Sequence, residues 1–230
     1  MLPEAFLKRM EQQLGEEYPA FLESLERPRA VALRFNPLKG EIPALPFVKE
    51  PVPWEPMGYY YEPEARPGLH PYHDAGVYYL QEASAMSAVA LLDPQPGEKV
   101  CDLCAAPGGK TTAAINMLAE GSLVVANEYV PMRSQILKEN IQKWGYPNVI
   151  VTNSSVERLC KTPGLYDIIA IDAPCSGEGM MRKDEEARRQ WSKSLVSECA
   201  ALQWQIVCDS WDTLKQDGYL IYSTCTFNTE

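Results

Sequence analysis

The fold this sequence predicts is α/β: a doubly wound parallel sheet preceded by a small N-terminal α/β subdomain. Three observations predict it. Strand-like and helix-like runs alternate from residue 98 to 223. A glycine turn joins the first of those strands to its helix, at Pro107-Gly108-Gly109. The run Asp167-Ile168-Ile169-Ala170-Ile171 is almost wholly apolar, as a central parallel strand buried on both faces requires.

The chain opens with helical spacing. Phe6, Leu7, Met10 and Leu14 share one face, and Phe21, Leu22 and Leu25 share another after Pro19, so two short amphipathic helices are expected. Residues 29–35 alternate as a half-buried strand that stops at Asn36-Pro37. Prolines then recur through residues 43–71, among them Trp54 and Tyr59-Tyr60-Tyr61. Frequent proline removes backbone donors, which predicts a linker or an extended wrap with its aromatics as packing anchors.

Residues 82–92 carry Ala83, Met86, Val89 and Ala90 at helical spacing, with a stop at 93–97. Residues 99–102 are the first strand of the main sheet and 123–126 the second. A helix over 132–144 ends at Gly145, and 149–152 is the third strand. After the apolar strand at 167–171, a long helix is expected over 195–214 with Leu195, Cys199, Leu202, Ile206 and Trp211 inward. Gly218 then introduces a last strand at 219–223. Residues 1–70 are expected to be the small N-terminal part with its Pro-rich linker, and 71–230 the main domain.

Composition narrows the class. An apolar share of 46% over 230 residues supports a globular core. The first residues carry charges where a signal peptide needs an apolar run, and no segment has the length of a membrane span, so a cytoplasmic address is expected. Seven irregularly spaced cysteines do not form a disulfide framework. The net charge of −10 opposes bulk electrostatic attraction to nucleic acid, which leaves any such contact to a local patch. Arg182-Lys183, Arg188, Arg189 and Lys193 around Trp191 are that patch, with acidic neighbours at 184–186.

The glycine turn suits a cofactor. Only small residues allow a ligand close to the backbone, and the first N–H groups of the following helix point at it. Gly109-Lys110-Thr111 matches the end of a P-loop, but Cys104 stands where its first glycine belongs. Adjacent glycines with no third also break the dinucleotide fingerprint. A nucleoside cofactor without a pyrophosphate remains, and S-adenosylmethionine is the common one. Glu128, about twenty residues on at the end of the second strand, is the expected acceptor for its ribose hydroxyls. His70 with His73 and Cys101 with Cys104 have metal-ligand spacing, but the cysteine pair spans a strand end rather than a knuckle turn, and no metal is expected.

Two further strand ends carry chemistry: Asp172 with Cys175, and Cys225. Carbon 5 of a pyrimidine is too weak a nucleophile for a sulfonium methyl until a thiolate adds at carbon 6. An acid at ring nitrogen 3 eases that addition, and a base must then remove the carbon 5 proton. Asp172 suits the first role and one cysteine the last; the residues alone leave the two cysteines interchangeable.

Asp102-x-Cys104-Ala-Ala-Pro-Gly-Gly-Lys110-Thr, Asp172-Ala-Pro-Cys175-Ser-Gly and Ser223-Thr-Cys225-Thr-Phe resemble the signature motifs of the NOL1/NOP2/Sun family of RNA 5-methylcytosine methyltransferases. The likeness extends to Leu33-Arg34-Phe35-Asn36 and to residues 79–86, and Gly177-Glu178-Gly179-Met180 is similar to the bacterial ribosomal RNA branch. The resemblance implies a Rossmann-like class I methyltransferase domain with an N-terminal RNA-binding subdomain. It implies Cys225 as nucleophile, Cys175 as the residue assisting product release, and Asp172 in contact with the cytosine and near the cofactor. It assigns S-adenosylmethionine to Cys104, Ala105, Ala106, Pro107, Gly108, Gly109 and Lys110, with Glu128 and Asp172. Ribosomal RNA is the implied partner, transfer RNA the second choice, and a monomer the expected state.

Two departures accompany it. Ser155 stands where the family places an acidic acceptor for adenine, and the sequence stops where the family continues, so a fragment with an open sheet edge is expected, poorly soluble or inactive unless something covers that edge. A binding or ribosome-assembly module without turnover is the alternative; a small-molecule methyltransferase would not need two cysteines.

Overall fold

The computed structural model describes residues 2–92, 94–118 and 121–230. Its elements in chain order are α1 (Glu4–Leu14), α2 (Tyr18–Glu26), β1 (Ala32–Phe35), β2 (Val48–Pro51), β3 (Gly58–Tyr61), α3 (Pro71–Asp74), β4 (Tyr78–Leu80) and α4 (Ala83–Ala90). There follow β5 (Lys99–Asp102), α5 (Gly109–Met117), β6 (Leu123–Asn127), α6 (Pro131–Trp144), β7 (Val149–Thr152) and α7 (Val156–Leu159). The last are β8 (Tyr166–Asp172), α8 (Glu185–Gln190), α9 (Lys193–Trp211) and β9 (Leu214–Ser223). Among the described residues, no helix is long and apolar enough to cross a membrane.

Contacts divide the chain into two compact units. One holds Ala30–Asp172 and Cys208–Ser223, and contains both sheets; the other holds Met1–Arg29, Ala173–Val207 and Thr224–Glu230.

In the sheet unit, five parallel strands run β7-β6-β5-β8-β9, the doubly wound order expected. The order reverses beside β5, and the carboxyl ends there are where such sheets bind ligands. Ile115, Val124, Leu137, Ile141 and Trp144 form one apolar cluster against this sheet; Val89, Leu92, Val100, Ala113 and Ile168 form another. Burying a large apolar side chain stabilises by about 1.5–3 kcal/mol, so these clusters dominate the unit's stability.

A second sheet, antiparallel, runs β2-β3-β1-β4. The Pro-rich stretch therefore supplies two strands rather than a bare linker: Tyr59 and Tyr60 pair with Leu33 and Ala32, while Pro51 ends β2 at its irregular register. β1 is also buried on both faces rather than half-buried. Alternation assigns Arg34 to a polar face, but its guanidinium is wholly buried and donates to Gln81 Oε1, to the carbonyls of Gly109 and Thr112, and to Thr112 Oγ1 at 2.6–3.2 Å. It also lies 4.9 Å from the Trp144 ring centre.

The stop expected after α4 begins at Asp93, outside the described residues. The last strand starts earlier than expected, at Leu214, because Lys215 bonds back to Asp167 at 2.6 Å and the chain turns through Asp217, at φ 64°, before resuming its register.

In the other unit, Phe6 and Met10 of α1 pack with Met181, Trp191 and Val196. The Phe6 and Trp191 rings meet edge to face with centroids 5.7 Å apart, and Phe21 meets Phe227 likewise at 5.5 Å. The buried side of α9 here is Val196, Gln203 and Ile206, with Leu202 exposed, so the apolar face expected from spacing is rotated. Gln203 takes its place on the inner side because its amide donates to the Pro174 carbonyl at 2.7 Å.

Candidate functional site

In the sheet unit, β5 ends at Asp102 and the chain turns through 104–108 into α5. Gly108 holds φ at +112°, a conformation that disfavours a side chain, and a Cβ there would stand 3.3 Å from Leu137. The loop is pinned by its carbonyls: Ala106 accepts from Arg133, Pro107 from Asn140, and Gly109 from Arg34. Burial pushes the Cys104 thiol up to about 12, with Asp102, Glu128 and Asp172 adding to the effect, so it stays a protonated lining group.

Carboxylates close the strand ends. Burial raises Asp102 to about 6, partly offset by the Thr111 hydroxyl, which donates to it at 2.6 Å. Glu128, after β6, is buried; its Oε1 accepts the Val130 N–H at 2.8 Å, and its Oε2 lies 3.4 Å from Arg133. Asp172, at the end of β8, receives the Lys110 ammonium at 2.7 Å and the Ser223 hydroxyl at 3.1 Å. Asn127, fully buried, links the ends of three strands by donating to Leu103 and Ser154 carbonyls and accepting from the Thr152 hydroxyl. Ser155 precedes α7 and its carbonyl accepts from the Leu159 N–H. His70 caps α3 by accepting the Tyr72 N–H, and Cys101 is buried in β5.

The other unit carries the remaining two candidate residues. Cys175 and Cys225 bring their sulfurs to 2.7 Å with a hydrogen between them that either can donate. The Cys225 thiol, with the Gly177 and Cys225 N–H groups and the Thr224 hydroxyl, brings Cys175 down to about 6 against the upward push of burial. Such a pair holds one proton between two sulfurs near neutral pH. The loops also meet through Ser176 and Thr226, whose hydroxyls are 2.9 Å apart, and through the Gly179 N–H, which donates to the Cys225 carbonyl at 2.7 Å.

Two side chains of the basic patch are engaged internally. Arg188 donates to the Met181 and Arg182 carbonyls, and Arg189 pairs with Glu185 and Glu186 at 3.5 and 3.6 Å.

Three structured residues were not singled out from sequence: Arg34 behind the glycine turn, Asn127 at the strand ends, and Glu178, fully buried beside the Cys225 loop. Of these, Arg34 and Glu178 lie within motifs that the resemblance covers, and a charged residue inside a motif was the available signal.

Residues 89–230 match the family described as 16S rRNA methyltransferase RsmB/F, and residues 2–83 match the N-terminal domain of 16S rRNA methyltransferase RsmF. The ribosomal RNA small subunit methyltransferases F of Psychromonas ingrahamii and Cronobacter sakazakii are 36% and 38% identical over the whole chain. The chain spans about half the length, 51%, of these curated relatives. A solved methyltransferase homologue from Pyrococcus horikoshii superposes with a TM-score of 0.82 at 30% identity, over 98% of this chain and 74% of that one.

Proposed function

Since the chain belongs to the 16S rRNA methyltransferase RsmB/F family, we propose that it methylates carbon 5 of a cytosine in small-subunit ribosomal RNA through a cysteine–cytosine covalent intermediate. The observation that carries this reading is the Cys175–Cys225 pair, two cysteines whose sulfurs lie 2.7 Å apart on the loops that leave β8 and β9. A methyltransferase acting on a heteroatom has no use for two such groups.

The loop 104–110, Glu128 and Asp172 are the residues proposed to hold S-adenosylmethionine. The acceptor set fits: the Glu128 and Asp172 carboxylates suit two ribose hydroxyls and a cationic amino acid, and Gly108, at φ +112° with no side chain to meet Leu137, lets the loop turn closely into α5. When bound, this cofactor supplies an electrophilic sulfonium methyl.

Cys225 passes its proton to the neighbouring Cys175 sulfur and adds its own sulfur to carbon 6 of the cytosine. The addition turns carbon 5 into an enamine carbon that can accept a methyl group. Asp172, oriented by Lys110 and Ser223, acts at the nitrogen 3 edge of the ring in its protonated form, donating its proton there as negative charge develops. Cys175, once its proton has passed to solvent, takes the carbon 5 proton, and the carbon–sulfur bond to Cys225 breaks to release the product.

The test is trapping on denaturing gels, with the protein carrying these residues, ribosomal RNA and S-adenosylmethionine. Cys175→Ala is expected to accumulate a covalent RNA adduct that Cys225→Ala abolishes. No adduct from Cys175→Ala, together with no methylation by the unaltered protein, would sink the proposal and leave a binding module.

A further inference from the structure

We propose that Glu178 is a positioning residue that holds the Cys225 loop against the Cys175 loop and so sets the approach of the nucleophile; the proposal rests on Cys225 being that nucleophile. Glu178 is fully buried, yet its carboxylate accepts five hydrogen bonds. Oε2 accepts the Thr226 hydroxyl at 2.9 Å and the consecutive N–H groups of Phe227 and Asn228 at 2.7 and 3.0 Å. Oε1 accepts the Trp191 indole N–H at 2.9 Å and the Asn228 side-chain amide at 3.2 Å.

Every one of those donors except Trp191 lies within three residues after Cys225. A carboxylate offers about four lone-pair directions, so both oxygens are fully engaged. Burying this group without partners would cost several kcal/mol, and an apolar side chain would fill the space at no such cost. Burial alone would push the Glu178 carboxyl up, but the donors from Trp191, Phe227, Asn228 and Thr226 outweigh it and keep the group below the ordinary carboxylate value. It is therefore an anion facing only donors.

Glutamine has the same shape but cannot replace it. One of its two terminal atoms is itself a donor and would confront indole, amide or backbone N–H groups. The side chain is also well anchored at its far end, because Trp191, which donates to it, packs edge to face on Phe6. Together with the Gly179 N–H on the Cys225 carbonyl, these bonds fix the nucleophile's own backbone and the three residues after it from one short stretch, 176–179.

The experiment compares the rate constant for adduct formation in Cys175→Ala with that in Cys175→Ala/Glu178→Gln, under single turnover with ribosomal RNA and S-adenosylmethionine. The expected result is a rate constant at least tenfold lower with KM for RNA and cofactor unchanged. A role confined to folding would lower the adduct amplitude and leave the rate constant alone, and that outcome overturns the proposal. Thr226→Val, which removes one hydroxyl and leaves the backbone donors, serves if the glutamine variant does not fold, and is expected to slow the step about threefold; an unchanged rate there would equally overturn it. If Cys175→Ala forms no adduct and the unaltered protein does not methylate, the functional reading fails. The positioning role is then decided without RNA, by the rate of diamide-driven disulfide formation between Cys175 and Cys225. Glu178→Gln is expected to slow that reaction at least tenfold, and an equal rate would refute the positioning role.

Discussion

The Lys110 ammonium stands 2.7 Å from Asp172 Oδ2, tying the first turn of α5 to the end of β8. Both side chains are only partly exposed, at 20% and 37%, so the pair is weaker than a buried one but orients a carboxylate whose other oxygen is held by Ser223. Lys110→Met leaves the carboxylate with one fixed bond. The expected outcome is a fall in kcat of about tenfold or more, equivalent to ~1.4 kcal/mol, with RNA retention on filters unchanged. Equal kcat would show that Asp172 needs no such orientation.

The shared proton of the thiol pair sets a pH dependence. Cys175 is brought down to about 6 chiefly by the Cys225 thiol donating to it. Its alkylation by iodoacetamide is therefore expected to be slow below that pH, where the sulfur is protonated, and to rise through a midpoint near it as the thiolate forms. In Cys225→Ala the main donor is gone while burial still acts, so the midpoint moves up toward the ordinary thiol range. Mass spectrometry of the Cys175 peptide across pH 5–9 measures both; the same midpoint in the two proteins would contradict the shared proton.

Arg34 supports the glycine turn from behind. Arg34→Met keeps much of the volume but abandons the carbonyls of Gly109 and Thr112 in a buried setting. Losing charge-assisted bonds to buried acceptors costs about 3 kcal/mol, or roughly 6–12 °C in Tm for a chain of this size. Calorimetry reads the shift, and S-adenosylmethionine titration is expected to show weaker binding. An unchanged Tm would mean that the loop does not depend on this residue.

Gly179 has no room for a side chain. A Cβ there would lie 2.5 Å from the Cys225 carbonyl oxygen, a backbone atom that cannot step aside alone. Gly179→Ala is expected to destabilise by about 1–3 kcal/mol and to reduce methylation more than stability, because the displaced atom belongs to Cys225. Urea unfolding beside a methylation assay separates the two effects.

Signals local in sequence were legible without coordinates. Alternating apolar periods foretold the parallel sheet, and the run at 167–171 foretold its central strand, because side-chain spacing reports directly on which faces are covered. The motifs around Cys104, Cys175 and Cys225 pointed to the family that residues 89–230 match. Long-range pairings were not legible. The strands inside the Pro-rich stretch exist because Tyr59 and Tyr60 find β1, and proline counting has no knowledge of that partner.

The same reason divides the site. Residue types and their order along the chain are a matter of sequence alone, and they named the thiols and carboxylates as candidates. Tertiary structure alone decided that Arg34 is buried rather than solvated, and that Glu178 accepts from residues 13 and 48–50 positions away. A charged side chain reads as surface in sequence because exposure is its default. Only the assembled fold can gather enough donors or acceptors around it to make burial the lower free energy.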